Sequence, residues 1–222
     1  MRSPLHRALH FALGFAVLAP FTASAQDLDD LKEEALEMVE ANSKMAQEIV
    51  DMLYSFGELG MQEFETQKYL TGLLEEHGFE IELGVAGMPS AWTARWTHGT
   101  GGPVIALGSD VDGIPQSNQK PGVGYRDPIL AMAPGHGEGH NSGQAVNIVG
   151  AIAVKELMER EDIAGTLLLW PGVAEEQVAS KAYFVREGVF DGVDVNLFTH
   201  VSSNFGMSWG QSGGNALWSV QF

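Results

Sequence analysis

The order of apolar and polar residues predicts helices in the early part of the chain. From Asp27 to about Phe56, apolar residues recur at near-helical spacing within an acidic segment, and Gly57 and Gly60 interrupt this pattern. A second helix is predicted over Gln62–His77, because apolar positions again recur at helical spacing and Gly78 can end the helix.

Further along the chain, short apolar runs alternate with helical patterns. The candidate strands are Ala91–Trp96, Val104–Ser109, Thr166–Trp170 and Val195–Thr199. Helices are predicted over Ala145–Met158, with an N-cap at Asn141-Ser142, and around Ala179–Glu187. Residues 113–135, which contain four prolines, are predicted to form a loop. Strands that alternate with helices predict an α/β fold with a layered, largely parallel sheet.

The first 25 residues have the order of a secretory signal peptide. Basic residues at positions 2, 6 and 7 precede an apolar run at Ala8–Phe21, and the small residues 23–25 follow it. The run is shorter than the roughly 20 residues that span a bilayer, so cleavage before Gln26 is favoured over a retained membrane anchor. We therefore expect an exported protein, periplasmic or secreted, that is not membrane-bound after cleavage.

The composition of the 222-residue chain is that of a globular protein, with 45% hydrophobic and 18% charged residues. Only 12 Lys and Arg residues face 29 Asp and Glu residues, which gives a formal net charge of −17. A nucleic-acid-binding protein needs a basic surface to displace counterions from phosphates, so this class is excluded. The chain has no Cys, which excludes disulfides, zinc knuckles and thiol catalysis.

Polar clusters follow the apolar runs at positions where ligands gather in α/β sheets. Asp110 and Asp112 come directly after the run Val104–Leu107, and residues two apart on a strand point the same way. Such a pair can bind or orient a metal-site group, although an ordinary acidic turn has the same pattern.

A second cluster alternates ligand-type side chains with glycines just before a predicted helix. It contains His136, Glu138 and His140, and the intervening glycines let the backbone fold tightly so that these side chains converge. Imidazole and carboxylate groups are natural ligands of zinc and manganese. A phosphate-binding loop is disfavoured because the cluster has no Lys or Arg, and a flexible surface loop is the remaining alternative.

Two further clusters follow the later strands. Glu175 and Glu176 come after the strand Thr166–Trp170, and adjacent carboxylates repel one another unless a cation or a shared proton compensates. One of them can bind a metal while the other acts as a general base, but acidic residues are also favoured in the first turn of a helix. His200 follows the strand Val195–Thr199, where a single His is often structural. Together the four clusters supply the side chains of a two-metal hydrolytic centre.

The same stretches resemble the M20 metallopeptidase family, in particular its amidohydrolase branch of aminobenzoyl-glutamate hydrolases and N-acyl-amino-acid hydrolases. The resemblance extends from about Ile49 to Phe222, and within the branch the chain is most similar to the aminobenzoyl-glutamate hydrolase type. The residues that carry it are, in chain order, Phe56–Gly60 with Glu63, Ala86–Ala91, Ile105–Pro115, Pro134–Asn141, Gly172–Glu176, Lys181 and Gly188–Asp194.

This resemblance implies a three-layer αβα, zinc-exopeptidase-like catalytic domain that hydrolyses an amide bond of an N-acyl or aminobenzoyl amino acid. It places the general base, which acts on a metal-activated water, at Glu175, and the acid that supports the site at Asp112. Asp110 stands where other branches have a metal-binding His, and His136 matches no assigned ligand. Two divalent ions, zinc or manganese, are implied, and the ligand positions fall on Glu138, His140, Glu176 and His200.

Two features depart from the family pattern. The branch usually has Cys where this chain has Glu138, and a carboxylate can replace the thiolate as a harder ligand. Family members also continue through a lid and dimerisation domain and then return to supply a last His ligand. Residues 26–210 are therefore expected to form an N-terminal part of the catalytic domain, and residues 211–222 the first strand of the lid. The expected signal peptide at residues 1–25 precedes them. A longer protein of this kind would form a homodimer through its lid.

Other functions also fit the sequence. A catalytically inactive relative that binds a small ligand or a partner would account for the replacement of Cys and for the early end of the family pattern. An aminopeptidase or dipeptidase would share the fold and differ only in its substrate. The expected substrate is a small N-acyl amino acid or a peptide, and its carboxylate is expected to bind beyond Phe222, because few cations are available in this chain.

Overall fold

The computed structural model describes residues 25–177 and 180–210. The predicted leader peptide up to residue 24 and the predicted lid strand at 211–222 lie outside the described residues. The described strands are β1 (Glu80–Leu83), β2 (Trp92–His98), β3 (Val104–Asp110), β4 (Gly165–Gly172) and β5 (Val195–Phe198). They form one sheet in the order β1-β2-β4-β3-β5.

The sheet is mixed, so the prediction of a largely parallel sheet is wrong. β3 runs parallel to both β4 and β5, whereas β2 pairs antiparallel with β1 and with β4. Residues 84–91 connect β1 to β2, and residues 99–103 connect β2 to β3. Links of this length are too short for a parallel crossover, which needs about a dozen residues or more, so the chain reverses direction at each of them.

The α-helices lie where the sequence predicts them, with shifted ends. The helical pattern from Asp27 to Phe56 is divided into two helices at Asn42. The described helices are α1 (Ala25–Ala41), α2 (Ser43–Phe56), α3 (Phe64–Glu76), α4 (His140–Arg160) and α5 (Ser180–Arg186).

Helices cover both faces of the sheet, which confirms the three-layer α/β architecture. On one face α4 lies against β3 and β4, and α1 and α2 pack against α4. On the other face the Phe184 ring of α5 packs edge-on against Trp170 of β4, with the ring centroids 5.7 Å apart. Within the ranges given above, no helix has the length and apolar character required to cross a membrane.

The start of α4 differs from the prediction in a way that matters for the site. Gly139 adopts a φ of +77° immediately before His140, the first helical residue, so Asn141-Ser142 is not the N-cap. Such a left-handed backbone is readily adopted by glycine and turns the chain sharply. His140 is thereby placed beside Asp112, which follows β3.

Candidate metal centre

The predicted site residues lie at the carboxyl ends of neighbouring strands and at the start of one helix. Because β3, β4 and β5 run parallel, their carboxyl ends meet at one edge of the sheet. Asp110 ends β3, the short 3-10 turn Glu175–Gln177 follows β4, and His200 comes shortly after β5. His140 begins α4. The structure therefore brings the four sequence clusters to one place.

Two histidines face each other in this site. His140 is 3% exposed, and its Nδ1 lies 3.0 Å from the carbonyl oxygen of Asp112. The Nδ1 of His200 lies 2.8 Å from the carbonyl oxygen of Val201. A carbonyl oxygen only accepts hydrogen bonds, so each Nδ1 carries a proton. When both rings are neutral, the two Nε2 atoms therefore carry lone pairs, and these lone pairs face and repel each other across 3.2 Å. A shared proton or a bound cation relieves this repulsion.

Two glutamates surround the histidine pair. Glu138 Oε2 lies 3.9 Å from His140 Nε2 and 4.0 Å from His200 Nε2. Glu176 Oε1 lies 3.9 Å from His140 Nδ1 and is buried with no hydrogen-bond partner in the described part of the chain. The ligand-type atoms of Glu138, His140 and Glu176 lie within 4.8 Å of one another, as do those of Asp110, His140 and His200. The geometry thus joins the four predicted ligands and adds Asp110 as a neighbour.

Asp112 contacts two of the predicted ligands. Its carboxyl group is buried, its Oδ2 accepts the backbone N–H of Glu176 at 3.0 Å, and its Oδ1 lies 3.4 Å from His140 Nδ1. Together with its carbonyl oxygen, this one residue fixes the His140 ring and the backbone of Glu176. The supporting role of Asp112 stays a prediction, and these are the contacts that such a role requires.

Asp110 is paired with a cation from the chain itself. Lys181 Nζ lies 2.7 Å from Oδ1 and 3.0 Å from Oδ2 of Asp110, which is buried. The same ammonium group lies 4.0 Å from Glu175 Oε1. Lys181 therefore competes with any metal ion for Asp110, in keeping with the absence of Asp110 from the predicted ligand set.

The clustered carboxylates favour a positive charge on His140. Burial opposes protonation of this ring, but its contact with the Asp112 carboxylate and the charge of Asp110 raise its pKa to about 9. Burial and then the charge of Glu138 raise the pKa of Glu176. A metal ion that binds here has to displace the proton of His140, because metal ligands must be deprotonated.

His136 lies outside this group and is bound to α2. Its Nε2 lies 2.9 Å from the carbonyl oxygen of Leu53, and burial lowers its pKa, so the neutral ring donates this bond. Asn141 Nδ2 donates to the carbonyl oxygen of Val50 at 3.1 Å. These two bonds fasten the loop that carries Glu138 to α2.

One buried carboxylate near the site was assigned no role in the site from the sequence. Glu63 is 1% exposed and accepts the backbone N–H of Ala174 at 2.7 Å, just before Glu175 and Glu176. The two bonded residues are 111 positions apart, so no local pattern signals the contact. The one sequence signal for Glu63 is its position in a stretch that carries the family resemblance.

Several known proteins have similar sequences and folds. One component of the p-aminobenzoyl-glutamate hydrolase of Escherichia coli (strain K12) is 33% identical over 171 residues, which is 77% of this chain and 35% of that protein. N-acetyl-L-cysteine deacetylase of Bacillus subtilis (strain 168) is 27% identical over 182 residues, 82% of this chain and 42% of that protein. A crystal structure of a dinuclear metal binding peptidase of Bacillus subtilis, from the M20 family, is similar to this fold with a TM-score of 0.59 and 24% sequence identity. The match covers 72% of this chain and 44% of the peptidase chain.

No family model matches the chain. The chain spans only 35% and 42% of the length of the two curated relatives. The fold is of the α/β class, and the grouped donor atoms form a candidate metal centre at the carboxyl ends of its parallel strands. In sequence and fold the chain is similar to these relatives, one of which is a peptidase of the M20 family, as its motifs indicate.

Proposed function

We propose that the protein is a metal-dependent amidohydrolase that cleaves the amide bond of an N-acyl or aminobenzoyl amino acid. The observation that carries this proposal is the facing pair of Nε2 atoms in His140 and His200, 3.2 Å apart, with Glu138 Oε2 at 3.9 and 4.0 Å from them. Imidazole and carboxylate groups in this arrangement are the ligands of catalytic zinc and manganese sites.

The residues that would hold two divalent ions are Glu138, His140, Glu176 and His200. Their state fits this role, because Glu176 Oε1 is buried and finds no hydrogen-bond partner in the segments 25–177 and 180–210. Glu138 is a hard oxygen ligand, which favours manganese or zinc over softer metals. Such ions supply Lewis-acid chemistry when bound, since they polarise a carbonyl oxygen and stabilise the negative charge that develops on it.

Glu175 is the proposed general base. It precedes Glu176 in the 3-10 turn, and its Oε1 is 4.0 Å from Lys181 Nζ. Its carboxylate takes a proton from the attacking water and passes it to the leaving amine nitrogen as the amide C–N bond breaks. Asp112 keeps the His140 ring in its orientation during these steps.

The names of the two curated relatives, a p-aminobenzoyl-glutamate hydrolase and an N-acetyl-L-cysteine deacetylase, support an acylated amino acid as the substrate. Lys181 is a cation beside the site, and Asp110 already engages it. We therefore propose that cations outside the described residues bind the substrate carboxylate. We also propose that the native protein forms a homodimer through a lid domain.

Assays on the native, full-length gene product test this proposal. After dialysis against a chelator and reloading with Zn²⁺ or Mn²⁺, it should hydrolyse p-aminobenzoyl-glutamate or N-acetyl amino acids faster than dipeptides. Equilibrium dialysis should show two bound ions per chain. If neither ion binds, the alternative of a non-catalytic binding protein is favoured, and a preference for dipeptides would make the protein a peptidase of the same fold.

We further propose that the protein is exported, with cleavage before Gln26. The order of basic, apolar and small residues before Gln26 supports this location. Expression with the leader should yield, in the periplasm or the medium, a product whose N-terminus is Gln26. A product that keeps Met1 and stays with the membrane fraction would contradict the proposal.

A further inference from the structure

We propose that Glu63 is a positioning residue that holds the turn carrying Glu175 and Glu176 in its working conformation. The inference rests on the proposed function of these two glutamates. Glu63 lies at the start of α3, outside the ligand set and outside the proposed proton-transfer steps. Its side chain is nonetheless 1% exposed, and both of its oxygens are engaged.

The two oxygens of Glu63 bind two separate parts of the chain. Oε1 accepts the backbone N–H of Ala174 at 2.7 Å. Oε2 accepts the hydroxyl of Ser90 at 2.5 Å. Ser90 therefore fixes the orientation of the carboxyl group, and the carboxyl group in turn fixes the backbone of Ala174.

The backbone at Ala174 needs to be held. Its φ is +51°, in the left-handed region that residues other than glycine rarely adopt. A strained backbone of this kind persists only where the surrounding structure determines it. The next two residues are Glu175 and Glu176, so the strained position sets the direction in which both carboxylates leave β4.

A close backbone contact supports the same turn. At Gly60 an added Cβ would lie 2.7 Å from the Cα of Ala174, so the chain at Gly60 approaches this residue as closely as a glycine allows. Gln177, at the other end of the turn, donates from Nε2 to the carbonyl oxygen of Gly60 at 3.1 Å. Residues 57–63, called here the 57–63 segment, thus contact both ends of the turn.

The 57–63 segment also contacts the other half of the site. The backbone N–H of Gly113, next to Asp112, donates to the carbonyl oxygen of Glu58 at 2.7 Å. Asp112 in turn accepts the N–H of Glu176. The turn is therefore held by Glu63 on one side and by Asp112 on the other, and one segment fixes the spacing between the two.

Two substitutions of Glu63 separate positioning from a general loss of stability. Glu63→Ala removes the acceptor for Ala174, and we expect kcat and metal affinity to fall about 10- to 100-fold while KM changes little. Glu63→Gln keeps one acceptor oxygen for Ala174 and an amide for Ser90, and should restore most of both quantities. If Glu63→Ala does not fold, the shortened carboxylate of Glu63→Asp replaces it, with the same expected losses.

Glu58→Ala is the matched control. The Glu58 carboxylate caps α3 by accepting the N–H groups of Glu65 and Thr66, each at 2.9 Å, so its loss weakens the same region without freeing Ala174. The full-length protein is titrated with Mn²⁺ and assayed for kcat and KM. Equal losses in Glu58→Ala and Glu63→Ala, or no loss in Glu63→Ala, would overturn the inference.

These readouts keep the two proposals apart. If the wild type hydrolyses acylated amino acids and Glu63→Ala matches it, the positioning role fails and the proposed function stands. If the wild type binds Mn²⁺ but hydrolyses none of them, the proposed function fails. Weaker Mn²⁺ binding by Glu63→Ala, with rescue by Glu63→Gln, would still support the positioning of Glu176.

Discussion

Glu175 takes little part in holding the site together. Among the described residues its carboxylate has one ion-pair partner, Lys181 at 4.0 Å, whereas Asp112 binds the backbone of Glu176. Glu175→Ala in the full-length protein should lower kcat about 100-fold or more, because the proposed general base is lost, while metal content persists. Turnover above about a tenth of wild type would contradict the assignment.

Steady-state assays and metal analysis of the purified variant measure the two quantities. Glu187→Ala is a suitable control, because Glu187 is an exposed acid just after α5. It should match the wild type in both.

His140 links stability to pH when metal is removed. Because its pKa rises from 6.5 in the unfolded chain to about 9 in the fold, its charge contributes stability that is full below pH 6.5. That contribution is lost as the pH rises toward 9. In chelator, the free energy of unfolding should therefore decrease across this range, and His140→Gln should flatten the decrease.

Urea unfolding at a series of pH values measures this slope. The same slope in both proteins would show that His140 does not carry the effect. Glu63, Asp110 and Glu176 also have raised pKa values, so the comparison with the variant isolates the imidazole.

At the scale of the elements, two glycines show how packing decides the effect of one methyl group. An added Cβ at Gly108 in β3 would lie 2.2 Å from the Trp170 ring, which packs among the rings of Phe184 and Phe190 and cannot easily move. Gly108→Ala should lower the free energy of unfolding by about 1–3 kcal/mol.

Gly72 lies inside α3 with nothing within 4 Å of an added Cβ. Gly72→Ala should raise the free energy of unfolding by about 0.5–1 kcal/mol, because alanine has less backbone freedom to lose on folding. Denaturant titration of both variants gives the two signs. A stabilised Gly108→Ala or a destabilised Gly72→Ala would refute this view of the packing.

Elements with a strong periodic pattern could be predicted from the sequence, and short ones could not. β4 reads as an unbroken apolar run, Leu167–Trp170, because it is buried on both faces. β1 was missed because Glu80–Leu83 is short and half acidic, and its pairing with β2 is what makes it a strand. The start of α4 was misplaced because Asn141-Ser142 is a good N-cap by composition, whereas the backbone of Gly139 decides the actual start.

The same distinction holds for the candidate site. Its histidines and glutamates could be found because each follows an apolar run or a glycine-rich stretch. The bond between Glu63 and Ala174 and the pairing of Asp110 with Lys181 depend on the tertiary fold, so no local pattern contains them.

At the scale of the whole molecule, β5 is exposed. Among the described strands it pairs with β3 alone, and Leu197 is 48% exposed. Exposed apolar edge strands pair with other chains, and a Lys on the edge prevents this. The 222-residue chain should therefore self-associate when expressed by itself, and Leu197→Lys should keep it monomeric.

Sedimentation at increasing protein concentration measures this association. Leu36→Lys, in exposed α1, is the control and should leave it unchanged. If Leu197→Lys and Leu36→Lys weaken self-association equally, the cause would be a general loss of surface hydrophobicity rather than the loss of strand pairing.

The proposed ligands at 138–140, 176 and 200 meet only after β3, β4 and β5 have paired, as in the contact of Val104 with Thr166. Contacts between such distant parts of the chain form slowly, because the entropy of loop closure has to be overcome first. If the site is completed only after the folding barrier, an ion bound there would slow unfolding without speeding folding. The ion would then set the lifetime of the folded chain, which would resist proteases for as long as it kept its metal.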